Sequence, residues 1–474
     1  MSGFTDKFYL ASPIWLQQLM VAAYGWWWYR RRYSGDFSAL YQEFQQRDGW
    51  TAEQFKAYQG KKLGLLLEKA WESPYYRKVF QEAAIQKDMP PFKALALLPY
   101  LSKELLRTHP QELLTQTPPP KGSLVFNSSG TTGTPTEIYY PPSFHTLELA
   151  VPAARNFDWA GIDYRARRVM FGVRKVCRFD QPRPPFWRFS PVEDMAYASI
   201  YHLSPHFLPH YIQFLRDYQP AVIMGYPSAL RTIAHYAHIN QDLPAPAQGI
   251  FTTSETVTTQ DRQLFEEVWG CKVHDRYGAV ENCLFAAQCE FGRYHVSPDM
   301  GIIEIVDPEG NPVPPGEMGE VICTGLHNLL QPLIRYRIGD VAHWAVDQTC
   351  ECGRQMPILE AVEGRIEDIC YTPDGRQMLR FDTVFKGVEN LKEAQVVQQR
   401  LYHFVIRVVP DISFGGKDAA KLRDNMALHV GGDINVEIQP VDKIPRTTSG
   451  KFRAVLCNLS KEEKDMIRQK SNAH

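Results

Sequence analysis

No apolar run in this chain is long enough to cross a bilayer comfortably, and no basic stretch followed by an apolar one opens it. The longest apolar stretch, Ile14 to Trp28, is interrupted by Gln17 and Gln18, whereas a spanning helix needs about 20 mostly apolar residues. The N-terminus therefore reads as lacking a secretory signal. Charge of one sign is missing too: 52 Lys and Arg stand against 53 Asp and Glu. That balance gives no support for a nucleic-acid partner. Low-complexity tracts and internal repeats are absent. Cysteine occurs nine times, an odd count that, without a leader, argues for reduced thiols and a cytoplasmic location. A Walker A loop is also missing, because no Lys-Ser or Lys-Thr follows Gly133 in the one glycine- and hydroxyl-rich loop, FNSSGTTGTPTEIYY at 126–140.

What is present is a chain of 474 residues with ordinary hydrophobic and charged fractions, long enough for several domains or one large domain with an appendage. Residues 1–92 read as helical, with Asp36 and Thr51 as capping signals. From about 120 short strands alternate with helices: RRVMFGV at 167–173, a helix near 206–218, PAVIMGY at 220–226, a helix near 228–241 and QGIFTTS at 248–254. That alternation predicts an α/β core with strands buried on both faces. Residues 301–345 look richer in strands, and a further α/β stretch from about 366 carries strands near 403–409 and 434–439.

The 126–140 loop is uncharged before Glu137 and is flanked by Leu124-Val125-Phe126 and Glu137-Ile138-Tyr139-Tyr140, which read as strands. Glycines let backbone N–H groups converge on an anion, and Ser128, Ser129, Thr131, Thr132 and Thr134 add hydroxyl donors around Gly130 and Gly133. A strand–loop–strand cradle suits phosphates that arrive and depart; a plain hairpin loop is the alternative reading. Four further segments join it: YGAVE at 277–281, where Gly278 permits close backbone approach and Glu281 suits a Mg²⁺ on ATP phosphates; RYRIGD at 335–340, where Asp340 can accept from both ribose hydroxyls; GRIED at 364–368, at a change of texture; and IPRTTSGKFR at 444–453, with Lys451 in a glycine-containing turn.

In this order and spacing the five segments resemble the adenylate-forming enzymes, the superfamily of acyl-CoA synthetases, peptide-synthetase adenylation domains and luciferases. GYPSAL (225–230), TTSET (252–256), PLIRYRIGD (332–340) and CECGR (350–354) are similar to the phenylacetate–CoA ligase branch and its CapK-like capsular-polysaccharide subgroup. The resemblance covers nearly the whole chain. It implies an α/β fold: a large N-terminal adenylate-forming domain with mixed sheets and helices, comprising a helical region 1–92 and a core 93–364, plus a small mobile C-terminal α+β lid at 365–474. It implies an ATP-dependent, AMP-forming acid–thiol ligase that makes an acyl-adenylate and passes the acyl group to CoA, with an aryl or fatty acid as substrate.

By the same resemblance Lys451 and Glu281 match catalytic positions. Nucleotide contacts fall to the 128–134 loop, Ser254, Glu255, Tyr277, Gly278, Asp340 and Arg365, and the pivot lies near Glu367. The acyl pocket is expected near Tyr226, Pro227, Ser254 and the segment after Tyr277. SSGTTGTPT, with Thr136 where many superfamily members have Lys, is a further sign of the narrower branch. One departure is visible: Val280 stands where the family has Thr or Ser on the α-phosphate, so that either a loop hydroxyl such as Thr132 substitutes or adenylation is weaker or altered.

Cys289, His295, Cys350 and Cys352 form a candidate structural Zn²⁺ set, because soft sulfur with imidazole favours tetrahedral zinc. Cys283 is an alternative ligand, and four reduced residues that never meet is the bland reading. Residues 14–33 end in WWWYRRRY, so peripheral membrane contact stands beside an amphipathic helix packed on the protein body. Rival functions are acyl transfer to an amine or carrier protein in polysaccharide or natural-product synthesis, and a catalytically silent membrane-associated scaffold.

Overall fold

The computed structural model describes the chain apart from residues 1–7, 34, 129–135, 173, 179, 366–368, 373–376, 379–380, 386–387, 389, 432–433, 447–451, 461, 465 and 468–474. Its largest element is a twelve-stranded sheet. Five strands at one end run parallel in the spatial order Met195–Ser199, Arg168–Gly172, Val222–Gly225, Gly249–Thr252 and Val273–Gly278. The helices Leu208–Tyr218, Pro227–Asn240 and Thr259–Trp269 connect them. Val222–Gly225 and Gly249–Thr252, inside this set, are short, almost wholly apolar and buried throughout, as strands covered on both faces must be. Val273–Gly278 then pairs antiparallel with Phe285–Gln288, where the sheet changes from parallel to antiparallel pairing. Beyond lie Tyr294–Val296, Ile358–Arg365, Tyr336–Trp344, Gly319–Gly325 and Gly301–Val306. Leu124–Ser128 and Thr136–Tyr140 pair antiparallel as a separate two-stranded sheet.

The helical N-terminal region forms where its caps permit. Thr51 accepts from the Gln54 N–H while Gln54 returns a bond to the Thr51 N–H, a complete capping box for Ala52–Ala70. Asp36 precedes Phe37–Arg47 but makes no side-chain cap. Its ψ of 9° is not the extended geometry that turns an N-cap side chain back onto the first turn. Phe44, Phe55, Leu66, Tyr76 and Phe80 of these helices share one core with Tyr140 of the two-stranded sheet and Tyr336 of the large sheet.

Within that core a charge network is buried. Arg155 and Asp299 are both fully buried and form a two-pronged pair, with Nη1 to Oδ1 at 2.5 Å and Nη2 to Oδ2 at 3.0 Å. Arg47 reaches the same carboxylate at 3.4 Å, and Arg155 Nε also donates to Asp48 at 3.2 Å. Arg155 sits in a π-helical turn, Ala153–Phe157, that continues the helix Phe144–Pro152.

The chain divides into two compact units, 1–338 with 342–362, and 339–341 with 363–474. In the second, a four-stranded sheet in the order Asn435–Pro440, His403–Pro410, Leu391–Arg400, Val455–Cys457 packs with the helix Gly416–Val430. Phe404, Ile406, Leu422 and Met426 fill that core.

Removing one partner of a buried pair leaves an uncompensated charge. Asp299→Ala should therefore lower unfolding free energy by about 3–5 kcal/mol, read from urea midpoints, and Asp299→Leu with Arg155→Met should lose less than either change alone.

Candidate active site and metal centre

The carboxyl ends of the parallel strands bring Tyr226, Ser254, Glu255, Tyr277 and Gly278 to one edge of the sheet, the edge where open α/β sheets bind ligands. Ser254 has a left-handed backbone, φ 71°, a conformation that non-glycine residues adopt at a cost where function or packing requires it. Glu255 follows it and accepts from the Ser228 N–H at 2.9 Å and the Ser228 hydroxyl at 3.1 Å. Its carboxylate thus sits at the N-terminus of Pro227–Asn240, where the helix dipole favours negative charge. Burial raises the Tyr226 phenol to about 12, so that hydroxyl remains protonated at neutral pH.

Beneath this edge Asp275 is buried and accepts from Thr252 Oγ1 at 2.6 Å and from the Tyr294 hydroxyl. Burial pushes its carboxyl above the usual range, partly opposed by those two donors. Next to it Arg276 is held below the ordinary arginine value by burial, while the Glu148 and Asp275 carboxylates pull it back.

After Gly278 the chain turns through Ala279 to Asn282. The Val280 carbonyl accepts from the Tyr140 hydroxyl at 2.5 Å and from Asn282 Nδ2 at 3.0 Å. Asn282 tolerates the left-handed φ of 47° that the turn demands. Glu281, only 4% exposed, accepts from the Tyr336 hydroxyl at 3.2 Å. Burial, and then the Glu281 carboxylate, holds that phenol far above its ordinary pKa, so it donates.

Two glycines fix this turn from behind. Gly301 pairs with Gly325 across adjacent strands, and a Cβ on Gly301 would stand 1.8 Å from the Cys283 carbonyl oxygen. Arg335, immediately before Tyr336, clamps Glu304 at 3.0 and 2.7 Å and lies 4.3 Å above the Tyr100 ring.

Asp340 is buried in the strand Tyr336–Trp344, and Arg365 ends the strand Ile358–Arg365. Ser129, Gly130, Thr131, Thr132, Gly133, Thr134, Glu367 and Lys451 lie outside the described residues, as do the side chains of Ser128 and Arg365. Three residues that sequence reasoning passed over hold the site: Tyr140, Asp275 and Tyr336. Tyr336 and Tyr140 lie inside segments the sequence singles out, RYRIGD and FNSSGTTGTPTEIYY, but spacing gave neither a partner.

The four zinc candidates meet. The ligand atoms of Cys289, His295, Cys350 and Cys352 all lie within 4.8 Å of one another. Cys289 Sγ is 3.7 Å from Cys350 Sγ, and Cys352 Sγ is 3.3 Å from His295 Nε2. His295 Nδ1–H donates to the Met356 carbonyl at 3.3 Å, which turns Nε2 toward the thiols. Burial lowers this imidazole to about 4, so it is neutral and able to ligate. Cys283 stands apart from this group: its Sγ donates to the Glu281 carbonyl at 3.4 Å.

The chain matches the AMP-binding enzyme family model over residues 197–330 and the CapK C-terminal domain model over 370–458. Protein CapK of Staphylococcus aureus is 23% identical over 95% of this chain and 99% of its own length. A phenylacetate-coenzyme A ligase of Thermus thermophilus is 24% identical over 85% of this chain and 96% of its own. Among solved structures, a 2-hydroxyisobutyryl-CoA ligase in the postadenylation state with R3-HIB-AMP is similar in fold, with a TM-score of 0.68, 21% identity, and coverage of 90% of this chain and 94% of that one.

His274, on the strand that delivers Tyr277, is buried against Phe251, and burial, with Arg262 and Lys272 adding, lowers it to about 4. The unfolded chain takes up this proton near the ordinary histidine value of about 6.5, so stability is full above that pH and falls as pH drops toward 4. Urea midpoints should decline across that window, and His274→Gln should make the decline shallower, with His327, also lowered to about 4 by burial, carrying part of the rest.

Proposed function

Because the chain belongs to the adenylate-forming enzymes, in the phenylacetate–CoA ligase branch and its CapK-like subgroup, we propose that it is an AMP-forming ligase joining a carboxylic acid to CoA. The acid's carboxylate attacks the α-phosphorus of ATP, pyrophosphate leaves, and the thiolate of CoA then displaces AMP from the acyl-adenylate. The observation that carries this reading is the buried Glu281 carboxylate, set just past the carboxyl edge of the parallel strands with one phenol donating to it.

The remaining lone pairs of Glu281 suit a hard divalent cation, so Glu281 is the residue that would hold Mg²⁺. The cation would supply charge neutralisation for the ATP phosphates. Lys451, matched to the family's catalytic lysine, offsets the charge that gathers at the α-phosphate in the transition state. Asp340 receives the ribose hydroxyls, and Ser254, Glu255, Tyr277 and Gly278 border the nucleotide. Tyr226 and Pro227 border an acyl pocket for an aryl or fatty acid. The alternative acceptor is an amine or carrier protein in place of CoA.

The cysteine–histidine cluster fits structural zinc. A tetrahedral ion with Zn–S of about 2.3 Å and Zn–N of about 2.0 Å sets S···S near 3.8 Å and S···N near 3.5 Å, against 3.7 and 3.3 Å between these side chains. Four protein ligands leave no open position, so the metal's part is to hold the fold.

A pyrophosphate-release assay over aryl and fatty acids, with hydroxylamine trapping the adenylate, should give a signal for one acid class. CoA dependence then separates the two acceptors. Lys451→Ala should lower that signal by about a hundredfold or more while ATP still binds; unchanged pyrophosphate exchange would remove the lysine from the chemistry. Metal analysis of protein purified without chelator should give close to one zinc per chain, and Cys352→Ser should abolish it and lower the melting temperature.

A further inference from the structure

The helix Ile14–Tyr33 turns Gln17 and Gln18 inward beside Val21 and Trp28. Gln17 is 3% exposed; its Oε1 accepts from Arg188 Nε at 3.0 Å, and its Nε2 donates to the Ser12 carbonyl at 3.0 Å. Gln18 bonds both backbone groups of Phe189, donating at 2.7 Å and accepting at 2.9 Å. Phe189 lies on Trp187–Ser190, the strand at the end of the twelve-stranded sheet. Gly25 lets the helix approach Ser190, where any Cβ would meet the serine oxygen at 2.0 Å. Arg32 faces Glu193 at 3.6 Å.

The outward side is apolar. Trp15 is 65% exposed, Leu19 58%, Trp26 53% and Trp27 44%, with Phe8 and Ile14 exposed beside them. At 3.6 residues per turn, Trp15, Leu19, Ala23 and Trp26 form one stripe about three turns long. Arg30 extends that stripe, its guanidinium 5.0 Å over the Trp26 ring, and Arg31 lies 4.8 Å over Trp27. The helix contains no Asp or Glu. Arg30 also borders a cleft of about 440 Å³ with Arg165 and the tyrosines 29, 33, 41 and 164.

The geometry points to this face as a docking surface for an anionic phospholipid bilayer. Covering an edge strand explains the inward amides, since the strand's backbone groups need partners. It does not call for tryptophans outside, where water-soluble helices place polar residues. Tryptophan settles at the headgroup boundary, and unopposed arginines beside it select anionic lipid. Among the described residues no helix is long and apolar enough to cross a membrane, so the helix lies in the interface plane. The arginine-bordered cleft gives a phosphate headgroup a place at the end of the stripe. This inference stands independently of the ligase chemistry.

The test is flotation of the full chain with vesicles of phosphatidylcholine alone and of phosphatidylcholine with about 30% phosphatidylglycerol, at low salt and at about 0.5 M NaCl. Binding should be about tenfold stronger on anionic vesicles and should weaken with salt. Trp15→Ser, Trp26→Ser and Trp27→Ser together should abolish it, and Arg30→Gln with Arg31→Gln should cut it several-fold. Both variants should keep the wild-type melting temperature and adenylation signal, because Trp15, Trp26, Trp27 and Arg30 face solvent and half-buried Arg31 reaches the Gly122 carbonyl at a long 3.4 Å. Binding that ignores lipid charge, or wild-type protein that stays unbound on anionic vesicles, overturns the proposal. So does sedimentation showing a wild-type dimer that the triple tryptophan variant makes monomeric, since a second copy would then cover the face.

Discussion

The buried carboxylate of Asp299 is the fixed point around which the large unit is assembled. Two guanidiniums converge on it, Arg155 at 2.5 and 3.0 Å and Arg47 at 3.4 Å, and the Asp299 carbonyl accepts from His327 at 2.7 Å. A charge taken out of water is tolerated only when its partners are close and well oriented. The N-terminal helices, the π-helical turn and the chain before Gly301 are therefore held in a single register. Two residues on, Gly301 presses against Cys283, two residues beyond Glu281. The position of the Glu281 carboxylate follows from a salt bridge that never touches it.

The same network reaches the cysteine–histidine cluster. Asp48, which shares Arg155, also accepts from the Trp159 indole at 2.6 Å and faces Arg354 at 3.5 Å. Arg354 stacks 4.5 Å over Trp159, whose edge meets the His295 ring at 5.9 Å. Arg354 is two residues after Cys352, so the CECGR segment is secured by its arginine as well as by its thiols. Cys350 and Cys352 thus lie on the segment between two strands of the large sheet, with their sulfurs beside Cys289 and His295.

How much of this was legible in the sequence follows from the range of each interaction. The parallel strands and their helices were readable, because period, β-branching and turn residues act locally; Val222–Gly225 and Gly249–Thr252 lie inside PAVIMGY and QGIFTTS. That Cys289, His295, Cys350 and Cys352 come together was readable because soft ligands at short intervals are written in residue type and spacing. Tyr140, Tyr336 and Asp275 were not, since a phenol that holds a carbonyl 140 positions away leaves no local trace. Arg155 with Asp299 is the same case. Val280 reads differently once the turn is seen. What the structure asks of that position is a carbonyl for Tyr140 and Asn282, which any residue supplies, so the turn keeps its shape without the family's hydroxyl.

The N-terminal helix packs on the body of the protein, as one reading of the sequence expected, but the face it packs with mixes apolar side chains with two glutamines. The strand it covers is at a sheet edge and presents N–H and C=O groups that an apolar surface would leave unpaired. Gln18 answers both groups of Phe189, and Gln17 accepts from the buried fork of Arg188, which also donates to the carbonyls of Pro185 and Trp187. Once the amides are committed inward, helical geometry turns Trp15, Leu19 and Trp26 to the opposite side. The polarity of the helix is thus set by the backbone it must satisfy, and the tryptophan face is what remains to meet the surroundings.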